Sequence, residues 1–259
     1  MRVVLLGTAA DGGIPRWDCV CARCAAARDG KVPARTQTAA AVTGNSRDWW
    51  LLDASPDLRA QLTAVPALWP GPAGRSAPVR GVLLTGAEPA QAAGLSVLRG
   101  AAGLTVHAAA PVLDALAPAR EVLGRYAPWE WRDGPAEGGF VLSGGLVVTA
   151  YAVGARPPGY LPGRAADPRW ATAYRVEDLA TGGVLVYAPR ADPARPGLDE
   201  ALATADCALL DAALLAGGRT PAPSARTVAV RLGMTDPLLG TGSGSGGVEV
   251  LADGAELLL

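Results

Sequence analysis

Cys19, Cys21 and Cys24 form a C-x-C-x-x-C cluster behind Gly12-Gly13-Ile14-Pro15-Arg16-Trp17-Asp18. Three thiolates this close in sequence can converge on one soft, tetrahedral cation if the backbone turns tightly. Zn²⁺ suits them, with Zn–S bonds near ~2.3 Å. A disulfide between two of them is the alternative, disfavoured where thiols stay reduced. Iron–sulfur clusters usually take four cysteines. The fourth, Cys207, lies in the apolar run ATADCALLDAALL and reads as a buried, inert thiol. Zinc needs a fourth donor, and Asp18, His107, Asp236 or water are the candidates. A closed site makes the metal a structural clamp, the expected role here, whereas an open position would permit catalysis.

Histidine sets the next limit. The 259 residues contain one, His107. Centres built from two or three imidazoles cannot form within this chain. A two-metal, His-rich hydrolase is excluded unless a second chain supplies ligands. Ser/His/Asp catalysis is open only through His107, which follows the strand-like GLTV and is expected to be partly buried and structural. Neither a G-x-S-x-G elbow nor a phosphate-binding G-x-x-x-x-G-K-[ST] loop is present.

These residues need a scaffold. Half the chain is hydrophobic, 18% is charged, and the formal net charge is −1, which excludes intrinsic disorder and gives no basic footprint for nucleic acid. No apolar run approaches the roughly 18–20 residues of a membrane span, and MRVVLLGTAADGG reaches Gly and Asp too soon for a signal peptide. A cytoplasmic location is expected. Strands are predicted at Arg2–Leu6, Ala39–Thr43, Trp49–Asp53, Gly81–Thr85, Leu104–Ala108, Leu146–Ala152, Ala171–Glu177, Val184–Ala188, Cys207–Asp211, Thr227–Leu232 and Gly247–Leu251. Helices are predicted at Cys21–Arg28, Pro56–Ala64, Glu88–Gly100, Pro111–Leu123 and Gly197–Ala203. Asp178–Gly183 reads as a hairpin turn. The Pro/Gly-rich stretches 69–78, 155–169 and 217–225 are loops, and 240–247 has linker composition. Arg156, Arg164 and Arg169 share the second of these loops with Tyr160, next to Trp170, a composition that would suit a carboxylate-rich ligand or peptide if the loop is not merely solvated. The seven tryptophans serve either core packing or an aromatic pocket.

In combination the motifs resemble the pyrroloquinoline quinone (PQQ) biosynthesis protein B family. They are Gly7 through Cys24, Arg35-Thr36-Gln37-Thr38, Leu52-Asp53-Ala54-Ser55-Pro56-Asp57-Leu58, Val176-Glu177-Asp178-Leu179, Tyr187-Ala188-Pro189, Ala205-Asp206-Cys207 with Asp211, and Thr235-Asp236-Pro237-Leu238-Leu239. The likeness covers nearly the whole chain, with a shortening around 214–225. It implies an α/β (α+β) architecture, a four-layer αββα sandwich of metallo-β-lactamase type spanning 1–259 as one domain. It also implies Cys-bound structural zinc, with Asp236, in a C-terminal loop that approaches the cluster, as the fourth ligand. The family's pathway turns a ribosomal precursor peptide into PQQ. Its members have been linked to oxidation of a peptide-derived tyrosine intermediate at a metal site and, in an older reading, to carrying PQQ across the membrane.

The departures from the family pattern fall on the imidazole ligands. Pro89 and Gln91, or their neighbours, stand where the family places Asp and His after the strand ending Leu84-Thr85. A later His falls in the shortened segment, and Arg231 stands for the His before the Thr-Asn-Pro-like turn. Of the usual ligands only an Asp equivalent, Asp211, survives. Chemistry in the cleft would therefore fall to Asp211, Glu88 and Arg231, with a second metal in doubt. Glu88, Gln91 and Asp211 as a weak oxygen site would make a metal-dependent hydrolase. Otherwise Glu88 serves a helix N-terminus, and Asp211 caps a loop or pairs with Arg231. The expected function is a divergent, pseudoenzyme-like member in PQQ or related peptide-derived natural-product biosynthesis. The alternative is a non-catalytic carrier for PQQ, a precursor peptide or a small aromatic acid. Expected partners are a peptide-derived or small aromatic substrate and, as an assembly option, a second copy in a homodimer.

Overall fold

A computed structural model describes residues 1–71, 77–134, 139–192, 196–217, 225–240 and 247–259. Its strands are β1 (Arg2–Gly7), β2 (Ala39–Thr43), β3 (Trp49–Leu52), β4 (Val79–Leu83), β5 (Thr105–Ala108), β6 (Glu130–Asp133), β7 (Gly139–Leu142), β8 (Leu146–Gly154), β9 (Ala171–Asp178), β10 (Val184–Ala188), β11 (Cys207–Asp211), β12 (Arg226–Val230), β13 (Val248–Glu249) and β14 (Glu256–Leu258). They form two seven-stranded sheets, ordered β14-β1-β2-β3-β4-β5-β6 and β13-β12-β11-β10-β9-β8-β7. Each sheet is half antiparallel and half parallel: β3 to β6 run parallel in the first, and β10 to β13 in the second.

Side-chain alternation builds the layers, because successive residues of a strand face opposite sides. Val3, Leu5, Val42, Trp50 and Leu52 point from the first sheet into a core shared with Val148, Tyr174, Val176, Leu185, Tyr187 and Leu209 of the second. Their neighbours Val4, Leu6, Ala41, Trp49 and Leu51 pack instead on Leu58, Val112, Leu113 and Leu123. Those four belong to helices α2 (Leu58–Ala64), α4 (Ala110–Ala115) and α5 (Ala117–Gly124). On the far side, Ala173, Val186, Ala188 and Leu210 meet Leu198, Leu202 and Leu214 of α6 (Pro196–Leu202) and α7 (Ala212–Ala216). Helices therefore cover both outer faces of a two-sheet sandwich, the metallo-β-lactamase architecture. With both faces buried, the central strands read as near-continuous apolar runs.

Three strands escape the sequence reading. β6 (EWRD) and β14 are short edge strands with exposed charges, and β7 is a short edge strand with half its residues exposed; charge and brevity are common at sheet edges. The predicted Glu88–Gly100 helix breaks into a short α3 (Pro89–Ala92) and a 3₁₀ segment, Ala93–Leu98. Gly94 lies against the chain after β3 so closely that a Cβ there would sit 2.1 Å from the Ser55 carbonyl oxygen. The expected loop 217–225 and the linker 240–247 fall largely outside the described residues, and so does half of the loop 69–78. No helix among the described residues is long and apolar enough to cross a membrane.

Candidate functional site

Two loops meet to make the cysteine site. Ala10 N–H donates to Leu232 O and Leu232 N–H to Thr8 O, so the chain leaving β1 runs beside the chain leaving β12. Beyond that junction Cys21 opens helix α1 (Ala22–Arg28), and Cys24 in its first turn is buried. The Cys19, Cys21 and Cys24 sulfurs all lie within 4.8 Å of one another. Arg28 fastens the loop by donating to Cys19 O (2.6 Å) and Arg16 O (2.5 Å). The Cys24 backbone N–H holds the Cys21 thiol below its ordinary range, while burial pushes Cys24 up. The donor set and its convergence fit a soft divalent cation.

The structure does not bring Asp236 to this group. Its carboxylate is not among the ligand atoms that converge with the sulfurs; it accepts Leu238 N–H at 3.0 Å and opens a 3₁₀ turn. Asp18 is forked by Arg16 at 3.0 and 2.8 Å. His107 is buried on β5, stacked on Phe140 with ring centroids 4.4 Å apart. Met234 is the side chain that closes on the cluster, its Sδ 3.2 Å from Cys24 Sγ.

A second site lies at the carboxyl ends of the parallel strands, where the two sheets open into a cleft. Chain ends of this kind are the usual ligand crevice of parallel sheets. Arg231 follows β12 with φ of 54°. Its N–H is held by Thr38 Oγ1 at 2.9 Å, and its guanidinium meets Asp211 Oδ2 at 2.6 Å. Asp11 stands 3.7 Å from the other side of the same group. Asp211 also caps α7 through Ala213 N–H at 3.0 Å. Burial pushes the Asp211 carboxyl up and Arg231 pulls part of that back. Both structural roles expected for Asp211, cap and ion pair, are present together.

Glu88 faces the same cleft but its carboxylate is already engaged. It closes a capping box with Gln91 at the start of α3, accepts Gly159 N–H at 3.0 Å and lies 3.5 Å from Arg190. Gln91 turns inward to donate to Thr85 Oγ1 at 2.6 Å. Glu88, Gln91 and Asp211 therefore do not assemble an oxygen site; among the described residues the cysteine trio is the one cluster of potential metal ligands.

Sequence reasoning assigned no role to Asp53, Thr85 or Arg190. Asp53 follows β3 with φ of 62° and is buried. Its carboxylate accepts Thr85 N–H (2.7 Å), Thr85 Oγ1 (2.8 Å) and Tyr187 OH (3.1 Å). Burial nevertheless pushes its pKa up to about 7. β4 stops at Leu83, two residues before the predicted end, and this frees the Thr85 N–H for Asp53. A lone Asp closing an apolar strand was the available signal.

Residues 48–224 match the family model described as a β-lactamase superfamily domain. Coenzyme PQQ synthesis protein B of Azoarcus sp. (strain BH72) is 35% identical over 229 residues, covering 83% of this chain and 73% of that protein. The chain belongs to the coenzyme PQQ synthesis protein B family. The homologue of Methylobacterium sp. (strain 4-46) is 36% identical over 217 residues, covering 82% of this chain and 72% of its own. The crystal structure of Zn(2+)-bound PqqB from Methylobacterium extorquens superposes over the full length of both chains with a TM-score of 0.88 and 28% identity. A diphosphatase of the PhnP family, at 16% identity and TM-score 0.69 over 99% of this chain, shares the fold. A Cys cluster able to hold a metal therefore sits in a PqqB fold whose crystallised homologue binds zinc. In this member of the PqqB family Arg231 and Asp211 pair within the cleft.

Proposed function

We propose that the chain acts in the biosynthesis of PQQ or a related peptide-derived natural product, as a PqqB-like protein with one structural zinc and a cleft that works without a second metal. The observation that carries this reading is the Arg231–Asp211 pair at 2.6 Å. A guanidinium there supplies the positive charge that a metal would otherwise bring and engages the one surviving carboxylate ligand. Generating a metal hydroxide requires well-fixed ligands around an open position. Here Gln91 bonds Thr85, Glu88 bonds Gly159, and Asp211 bonds Arg231 and Ala213. Cys19, Cys21 and Cys24 would hold the zinc, with Met234 closing the fourth side. Bound zinc cross-links the loop after β1 to the turn after β12, a clamp worth on the order of 10 kcal/mol to folding. Arg231, Asp211 and Glu88 then act by binding and orienting a ligand.

Metal analysis tests the reading. Purified protein is expected to carry one zinc per chain and to take up no second equivalent of zinc, iron or manganese. Tight uptake of a second equivalent that is lost in Asp211→Ala would overturn it. The pathway assignment is checked by deleting the gene in its host and measuring PQQ and related peptide-derived products; an unchanged set of products would refute it.

A further inference from the structure

We infer that the cleft binds a small organic monocarboxylate, gripped by Arg156 and Arg190 and laid against Trp170. The inference rests on the metal-free reading of the cleft and adds its ligand class.

The cleft encloses about 190 Å³, room for a small-molecule body below drug size. Three guanidinium groups line it, and their engagements differ. Arg231 is held between Asp211 and Asp11. Arg190 touches Glu88 at 3.5 Å, and that same Glu88 oxygen already accepts Gly159 N–H at 3.0 Å. Arg156 is exposed at the rim and makes no ion pair among the described residues. Of the other two arginines of its loop, Arg169 is forked onto Asp167 at 3.1 and 3.0 Å, and Arg164 is exposed away from the cleft lining. One free and one loosely held guanidinium therefore face a common cavity, a donor pattern that matches a planar anion.

Trp170 and Pro158 supply apolar lining to the same cavity. Trp170 is buried, and its indole N–H donates to Ala165 O at 3.0 Å, which sets the ring plane. The loop carrying Arg156 and Pro158 is tied across the cleft by Tyr160 OH to Ala87 O (2.9 Å) and by Gly159 N–H to Glu88. Binding a ligand here does not require ordering the loop first, which lowers the cost of association. Charge selects a monoanion. Glu88, Asp192 and Asp211 line the same cavity, so a phosphate dianion would meet three carboxylates against the same three arginines.

Titration calorimetry on the zinc-loaded full chain decides the matter, with 3-phenylpropanoate, its uncharged isostere 3-phenylpropanamide, and phenyl phosphate as probes. The carboxylate is expected to bind at least about tenfold tighter than the amide, a difference typical of one charge-assisted hydrogen-bond pair. Arg156→Gln/Arg190→Gln is expected to weaken the carboxylate by at least about tenfold while the amide and the zinc content stay unchanged. Equal binding of acid and amide, tighter binding of phenyl phosphate, no binding of any probe up to about 10 mM, or an unaffected double variant would each overturn the carboxylate assignment and leave the one-zinc reading standing. Binding that appears only after a second equivalent of metal is added would overturn both.

Discussion

At the scale of single residues, the cysteine cluster and the arginine in the cleft make separate predictions. Met234 Sδ lies against Cys24 Sγ, while the Asp236 carboxylate accepts Leu238 N–H. Met234→Ala is therefore expected to lose zinc to a competing chelator at about tenfold lower chelator concentration, and Asp236→Asn to behave as wild type. A colorimetric zinc-release titration measures both; equal loss from the two variants would count against the thioether. Arg231→Ala leaves the buried Asp211 carboxylate without its partner. It is expected to cost about 3 kcal/mol in urea unfolding, the lower end for breaking such a pair because Arg231 is partly exposed. Asp211→Asn/Arg231→Gln, which removes both charges, should recover most of that loss. Residue type was legible in the sequence here: three thiols, one imidazole, and an arginine in place of a histidine. Partner choice was legible only for Asp211, which pairs with Arg231 as expected. Asp18, a candidate ligand beside Cys19, is taken by Arg16 two positions away, while a methionine 210 residues away arrives at Cys24.

Elements decide how the cleft is closed. The predicted helix Glu88–Gly100 carried the right composition, but only its first turn is α-helical, because Gly94 must pass the Ala54–Ser55 backbone. Its N–H donates to Ala54 O at 2.9 Å. Gly94→Ala forces a Cβ into the Ser55 carbonyl and is expected to cost about 3 kcal/mol, read as a lowered urea midpoint with an unchanged slope. An unshifted midpoint would mean that the 3₁₀ segment can move away from the chain after β3. The 155–169 loop is the second device. Its tie to the first sheet depends on Tyr160, whose phenol is held above its ordinary range by burial. Tyr160→Phe keeps the ring and removes the hydroxyl. The Gly159 amide, bonded to Glu88 beside it, is expected to exchange with solvent about tenfold faster, measured by hydrogen exchange. Glycine and proline content marked this segment as a loop correctly, yet composition carries no information about which element a loop is tied to.

Across the whole molecule, two buried groups set opposing pH dependences. Asp53 sits at about 7 in the folded chain against an ordinary 3.8, so the fold keeps a proton that the unfolded chain has released. Its contribution to stability is complete below 3.8 and is lost as pH rises to about 7. His107, between Trp50 and Phe140, is lowered to about 4 from 6.5, mainly by burial and secondly by Arg132. Its contribution is complete above 6.5 and is lost as pH falls toward about 4. Over that shared window the two slopes cancel. Asp53→Asn should uncover stability that rises with pH, and His107→Phe stability that falls, each changing by up to about 1.4 kcal/mol per pH unit relative to wild type. Urea unfolding at several pH values reads these slopes, and a variant slope matching wild type would refute the corresponding assignment. The sequence alone determined the local properties of the protein: short apolar runs that form strands, a thiol cluster within six residues, and too few imidazoles for a His-rich centre. Those are set by residue type and spacing along the chain. Tertiary structure decided which groups meet, including Glu88 with Gly159 and Asp53 with Tyr187 across 134 positions. Strand order and the packing of two sheets bring the ends of β3, β10, β11 and β12 to one edge, and no local pattern encodes that order.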